Sequence, residues 1–272
     1  MLDGLRITLF NLFFYAFTFV VALGLWVLAK VSTQARMQRL AQMWGRTVRG
    51  AVRLILDGRI EVRGLENVPT DRPVMLVAKH QSELDIVMLA ALFPNASAVA
   101  MDELRRYPFF GPVLEALDVV LVAVDRGRQG RTRQAVEGAR RIFAAGRPMA
   151  MYPEGELMKL GARERYRRGA GHIYVELGPT VVPVAKSLGA IWPQRRWRKC
   201  LHRTGAIEFL EPIEPGLDLD TFMAEIERRI ETATMALIRE HADGEDLAEA
   251  ERRYAMGHNN FDRPAAAPEA AQ

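Results

Sequence analysis

The sequence predicts an α/β protein: a mostly parallel or mixed central sheet flanked by helices, with an N-terminal membrane helix and a basic amphipathic helix ahead of it. Three observations carry that expectation. Short apolar runs alternate with helical stretches from Asp57-Gly58 onward, a 23-residue run near the N-terminus holds no charge, and the segment joining them is basic with a helical apolar period. Strands alternating with helices imply parallel strands joined by helical crossovers.

Composition bounds the rest. A chain of 272 residues suffices for one sizeable α/β domain plus an appendage. With 49% hydrophobic and 26% charged residues it is a folding sequence, not a disordered one. The single cysteine, Cys200, excludes an intramolecular disulfide and a cysteine-built metal site. A net charge of +4 suits acidic partners such as nucleic acid, anionic lipid or a phosphorylated substrate. No recognised nucleic-acid module is visible, so nucleic acid is not expected.

The first element is the uncharged run 7–29, "ITLFNLFFYAFTFVVALGLWVLA". As a helix it measures about 35 Å, enough to cross the hydrocarbon core of a bilayer. It is too long for the apolar core of a signal peptide, and no Ala-x-Ala pattern follows it. Residues 30–59 then hold seven basic residues against one acid, which keeps that side cytoplasmic. Within them Met37, Leu40, Trp44, Val48, Ala51 and Ile55 share one helical face, while Arg39, Gln42, Arg46, Arg49 and Arg53 share the other. Such a helix suits an anionic membrane surface, its apolar face in the interface; packing of that face on the domain is the competing reading. A true span and a helical hairpin dipping into one leaflet both remain open.

Strands are expected at 59–64, 73–79, 97–101, 119–124, 148–152, 180–185 and 205–211, the two ends of this series being able to add antiparallel edges. Helices are expected at 82–92, 129–145 and 169–177, and a closing one at 219–241 carries Phe222, Ile226, Ile230, Met235 and Leu237. From 243 the chain turns acidic and then Ala/Pro-rich, the composition of a loosely held tail. The expected division is 1–57 for the membrane-anchoring helices, 58–242 for the α/β domain and 243–272 for a flexible tail.

Reactive residues in open α/β sheets collect where strands end and helices begin. His80 stands at such a junction, in "VAKHQSELDIVMLAALF". Ser82 and Asp85 have the spacing of a capping box, with Ser82 as N-cap. A carboxylate in that first turn can also face back to the preceding loop and hold an imidazole in one tautomer. Further on, "VVLVAVDRG" ends a strand on Arg126, "MAMYPEGELMKLG" ends another on Glu154-Gly155, and "VVPVA" follows at 181–185.

In this order and spacing, the four stretches resemble the sequence blocks of the glycerolipid acyltransferases, most nearly the bacterial 1-acyl-sn-glycerol-3-phosphate acyltransferases, over about residues 59–215. The resemblance implies that His80 and Asp85 are catalytic, that Arg126 holds the acceptor's phosphate, that Glu154 and Gly155 belong to the substrate-binding third block, and that Pro183 is the proline of the fourth. Two departures stand out. Lys79 replaces the usual Asn before the histidine, and Glu156-Leu157 replaces the Thr-Arg that normally follows Glu-Gly. One anion-binding guanidinium is thereby missing, and Lys159, Arg163, Arg167 or Arg168 are the candidates to supply it.

What the resemblance implies chemically is O-acyl transfer to the sn-2 hydroxyl of 1-acylglycerol-3-phosphate, giving phosphatidic acid for phospholipid synthesis. The co-substrate is an acyl thioester on coenzyme A or acyl carrier protein, with no metal or other cofactor. Backbone N–H groups near the 152–155 turn are the expected oxyanion donors. Membrane lipid and a lysophospholipid are the expected partners, at the bacterial inner membrane with the catalytic domain in the cytoplasm. A different acceptor, such as a lyso-ornithine lipid, or a non-catalytic lipid-binding role stays open because of Glu156-Leu157.

Overall fold

The computed structural model describes residues 2–107, 110–123, 127–194, 197 and 199–258, the side chain of Arg128 excepted. Among the described residues seven strands form one sheet: β1 (Arg59–Arg63), β2 (Val74–Ala78), β3 (Ser97–Met101), β4 (Val120–Val122), β5 (Met149–Met151), β6 (Thr180–Lys186) and β7 (Thr204–Phe209). Their spatial order is β1-β7-β6-β2-β5-β3-β4. The five from β6 to β4 are parallel; β7 runs antiparallel to β6, and β1 pairs parallel with β7. Every run read as a strand is one, and the two ends of the series form the reversed flank. The sheet is therefore mixed. Val124, the last residue of the 119–124 run, lies outside the described residues.

The two-residue period of the strands sorts the core into two layers. Val74, Leu76 and Ala78 of β2 face a cluster built with α1 (Leu2–Leu28), α2 (Gln34–Ile55) and α3 (Leu84–Leu92). Met75 and Val77 face the other cluster, built with α5 (Gly127–Ala144), α6 (Gly169–Leu177) and α7 (Leu219–His241). A short α4 (Phe110–Ala116) lies between β3 and β4 in the chain. All of β2 is buried, which is why it reads as a continuous apolar run without alternation. In α7 the side chains of Phe222, Ile226, Ile230, Met235 and Leu237 are all buried, as their spacing predicts, and the Asp218 carboxylate caps its first turn by accepting from the N–H groups of Asp220 and Thr221.

Two expectations need correcting. The apolar face of α2 is not free for a membrane: Met37, Val48, Ala51 and Val52 are buried in the fold, against α1 and α3. Gly45 makes this possible, since a Cβ there would stand 2.6 Å from the Val87 carbonyl oxygen and 2.8 Å from the Ala91 nitrogen. The outward side keeps Arg36, Arg39, Arg46 and Arg53. Nor is the chain loose from residue 243, because Gly244–Ala255 form a further helix, α8. Acidic residues in its first turn and basic ones in its last complement the helix dipole. Ala250 packs with Met235 and Ile238 of α7, and Arg203 pairs with Asp243 and Asp246. Residues 259–272 of the expected tail lie outside the described residues.

The helix α1 is long and apolar enough to cross a membrane by length and composition. One side of it is nonetheless committed to the domain. Phe10 and Phe14 meet the edge of Trp192 at 5.5 and 4.8 Å, Asn11 donates to the Trp197 carbonyl at 2.9 Å, and the Trp44 indole donates to Thr18 at 3.0 Å. The opposite side exposes Leu2, Leu5, Leu9, Leu12, Phe19, Leu23 and Val27.

Candidate active site

The parallel strands β2, β3, β5 and β6 all end on one edge of the sheet, and the polar side chains gather there. Lys79 and His80 follow β2 directly, and alternation sends them to different layers, Lys79 to α7 and His80 to α3. His80 Nδ1 lies 2.8 Å from Asp85 Oδ2. The same oxygen accepts the backbone N–H of Gln81 at 2.8 Å and of Ser82 at 3.1 Å. Asp85 thus does both things its position allows, turning back onto the loop amides and orienting the imidazole. The cap itself is displaced by one residue. Glu83 occupies the N-cap position, and the Ser82 hydroxyl accepts from the Leu84 N–H at 3.1 Å.

The imidazole stacks on Tyr152, with ring centroids 4.2 Å apart. Behind Asp85 stands Lys186, the last residue of β6, its ammonium 3.4 Å from Asp85 Oδ1 and 4.7 Å from the Tyr152 ring centre. Burial pushes the Asp85 carboxyl up, but the Lys186 charge and the His80 hydrogen bond outweigh it and hold the group below its ordinary range. Burial also pushes the Lys186 ammonium down, against the pull of Asp85.

A second buried cluster lies toward α7. Lys79 donates to Glu231 at 2.6 Å and to the Ala162 carbonyl at 3.0 Å, and stands 3.4 Å from Glu154 Oε1. The Tyr166 hydroxyl donates to the same Glu231 oxygen at 2.9 Å, and the His80 N–H points to Glu154 at 3.4 Å. Burial drives the Glu154 carboxyl up; Lys79 opposes this and the Glu231 charge adds to it, leaving the group raised.

After β5 the chain turns at Gly155, where φ is +77° and the N–H donates to the Tyr152 carbonyl at 3.2 Å. A Cβ there would stand 2.2 Å from Arg167 Cζ, so glycine is required both by the backbone and by the guanidinium lying against it. Of the amides expected to serve as oxyanion donors, that of Gly155 is therefore used inside the turn. A groove of about 1980 Å³ opens beside His80. Its walls combine apolar Val99, Met101, Val136 and Met223 with Arg131, Arg133, Arg165, Arg167 and Arg168.

The structure thus brings His80, Asp85, Gly155 and Arg167 together. Glu154 is buried beneath the turn and does not line the groove, while Glu156 and Leu157 do. Lys159 is exposed outside the lining, and Arg163 turns away to lie over the Tyr254 ring of α8 at 4.4 Å. Pro183 sits in β6 opposite Val77 of β2. Arg126 lies outside the described residues.

Comparison with known proteins bears on this arrangement. The acyltransferase family model matches residues 59–187, the span from β1 to just past Lys186. The 1-acyl-sn-glycerol-3-phosphate acyltransferase of Pseudomonas aeruginosa is 31% identical over 199 residues, covering 72% of this chain and 76% of that one. The chain belongs to the acyltransferase family. The human 1-acyl-sn-glycerol-3-phosphate acyltransferase alpha is 28% identical over 131 residues, which cover 47% of this chain and 46% of its own. In fold, the acyltransferase matches the crystal structure of the 1-acyl-sn-glycerophosphate acyltransferase from Thermotoga maritima with a TM-score of 0.71 at 21% identity, over 86% of this chain and 97% of that one.

Sequence reasoning missed three side chains packed at or behind this acyltransferase's site. Lys186 ends an apolar strand in phase with Val182 and Val184, so a period-two count from the buried core points it inward. Glu231 falls four residues before Met235, inside the buried stripe of α7, where only a cationic partner makes a carboxylate tolerable. Tyr152 had no local signal, since its stacking depends on how β2 and β5 pair.

Proposed function

We propose that this chain is a membrane-bound O-acyltransferase that moves a fatty acyl group from coenzyme A or acyl carrier protein to the sn-2 hydroxyl of 1-acylglycerol-3-phosphate, giving phosphatidic acid. The observation that carries the reading is the His80–Asp85 pair, bonded through Nδ1 at 2.8 Å, at the mouth of an arginine-lined groove. With Nδ1 engaged, Nε2 is the ring nitrogen that takes the proton of the acceptor hydroxyl as its oxygen attacks the thioester carbonyl. The C–S bond then breaks, and the departing thiolate recovers that proton from His80. A positioned base of this kind contributes roughly 10²–10⁴-fold. No nucleophilic side chain is needed, because the thioester is already activated.

Arg167 supports a phosphate-bearing acceptor. It brings a guanidinium against Gly155, beside the turn where Leu157 stands in place of the family's arginine. The relatives from Pseudomonas aeruginosa and human carry the name of this same activity. One observation favours a second reading: the Glu156 carboxylate also lines the groove and repels an anionic headgroup, as a zwitterionic lysolipid such as a lyso-ornithine lipid would not require.

The exposed apolar side of α1, about 40 Å long, and the arginines on the outer side of α2 support attachment to an anionic membrane surface. Because α1 is packed along the domain at both ends, it suits a helix lying in one leaflet of the inner membrane, with the catalytic domain cytoplasmic. Carbonate washing and protease protection test this half; release of the intact protein at low salt ends it.

The acyl-transfer half is tested by incubating purified full-length protein with labelled oleoyl-coenzyme A or oleoyl-acyl carrier protein and either 1-oleoylglycerol-3-phosphate or a lyso-ornithine lipid. Labelled phosphatidic acid is expected, with Arg167→Ala raising KM for the acceptor by roughly tenfold. Transfer to the zwitterionic acceptor alone, reversed in Glu156→Thr/Leu157→Arg, replaces the first reading by the second.

A further inference from the structure

We propose that Lys186 is a positioning residue of the His80–Asp85 pair, holding Asp85 Oδ1 so that Oδ2 serves the imidazole, and setting the pH below which the pair stops accepting a proton. The inference rests on the acyl-transfer reading of the site. Its basis is geometric. Asp85 is fully buried, and its two oxygens have different company. Oδ2 takes His80 Nδ1 and two backbone amides, whereas Oδ1 accepts no hydrogen bond among the described residues and faces only the Lys186 ammonium at 3.4 Å.

Beyond Asp85 and the Tyr152 ring, the described residues around the Lys186 ammonium are apolar. It borders a small void of about 20 Å³ shared with Leu76, Met88, Leu92 and Phe209. A lysine so placed is tolerated only with a counter-charge, and Asp85 supplies it. Lys186 does not line the groove, so it acts through Asp85 and not on the substrate. Its backbone N–H points to the Thr234 hydroxyl of α7 at 3.4 Å, which ties the strand end in place.

Among the described residues the charged and titratable groups around the pair are few. They are His80 on the loop after β2, Asp85 on α3, Tyr152 and Glu154 after β5, Lys186 on β6, and across the sheet Lys79 with Glu231 of α7. At rest Lys186 already balances Asp85. When the imidazole takes the hydroxyl proton, the trio therefore gains a net positive charge beside the forming oxyanion, and the imidazolium readily returns its proton to the thiolate. A pair without Lys186 would bind the proton more tightly and give it up less easily.

The test uses the full-length protein and two variants, Lys186→Gln, which keeps a donor and removes the charge, and Lys186→Met, which removes both. In each, kcat/KM is followed against pH with oleoyl-coenzyme A and 1-oleoylglycerol-3-phosphate. The acid limb should move to higher pH by about one unit or more, as expected for losing a unit charge a few ångströms away. Acceptor and donor KM should stay within about twofold while kcat falls roughly tenfold. A merely structural lysine lowers kcat and leaves the limb where it was, and that result overturns the proposal. Diethyl pyrocarbonate modification of His80, read by peptide mass spectrometry, gives the same midpoint without turnover. An unmoved midpoint rejects the role of Lys186, whereas a wild type that transfers no acyl group rejects the reading on which it rests.

Discussion

Two lysines end two neighbouring strands of this sheet, both buried against carboxylates, and the two clusters behave oppositely. On the α3 side Lys186 meets one carboxylate, Asp85, and that group is held ionised. On the α7 side Lys79 meets two, Glu231 and Glu154. There burial comes first and the second carboxylate adds to it, so Glu154 is pushed toward its protonated form. The first cluster brings a base, His80, to the groove; the second borders it through Tyr166, while Lys79, Glu154 and Glu231 do not line it. Counter-charge stoichiometry, more than burial itself, separates a carboxylate that can orient a base from one that fills a hole in the core.

The largest effect should come from the open cluster. His80→Ala should lower turnover by at least about 100-fold with its thermal unfolding unchanged, since the ring is partly exposed and supports little packing. Asp85→Asn should approach the same loss, whereas a residue that only capped α3 would cost about 1 kcal/mol of stability and little activity. Turnover above about a tenth of wild type in purified His80→Ala would remove the histidine from the chemistry.

The sealed cluster should break in the other coordinate. Lys79→Met leaves two buried carboxylates without their cation and should destabilise the protein by about 3–5 kcal/mol in denaturant titrations, whereas Glu231→Leu, which leaves Lys79 facing Glu154, should cost less. The double variant Lys79→Met/Glu231→Leu should recover most of that loss, with the surviving Glu154 neutral. Additive losses in the double variant would show that the two residues are not a pair. Kinetic constants of the folded double variant should stay within a few-fold of wild type, in contrast to the open cluster.

How much of this was legible beforehand follows from what each element depends on. The seven strands and the helices α3, α5, α6 and α7 are written in local periodicity, and the sequence places them all. The partner of His80 was equally legible, because five residues separate it from Asp85 across a strand-to-helix junction. What covers α2 was not, since nothing in its own period distinguishes a membrane from α3, and the decision rests on one close approach at Gly45. Glu231 and Lys186 belong to contacts made over long chain separations, Lys79 with Glu231 and Asp85 with Lys186, which no local pattern records. Lys79 looked like a departure from a family pattern; with Glu231 in place, it is half of a pair.

The smallest predicted effect is the sharpest test of the comparison, and it concerns pH. Asp85, held down in the folded state, contributes stability that is present above its unfolded value of about 3.9 and lost as pH falls through the lower folded one. Glu154, pushed up, contributes stability that is complete below its unfolded value of about 4.3 and lost as pH rises through the folded one. The two isosteric substitutions should therefore diverge. Asp85→Asn should be less stable than wild type at pH 7, the difference narrowing on acidification below about pH 4. Glu154→Gln imitates the protonated acid, so at pH 4 it should match wild type, and at pH 7 it should equal or exceed it by no more than about 1 kcal/mol. Its turnover should stay within about threefold of wild type, because Glu154 lies beneath the turn and does not line the groove. Urea titrations decide the matter, at pH 7 and 4 for Glu154→Gln and at pH 7 and about pH 3 or below for Asp85→Asn. If Glu154→Gln instead lost acceptor binding as Arg167→Ala does, its carboxylate would be reaching the substrate, and the division between an open and a sealed cluster would have to be redrawn around it.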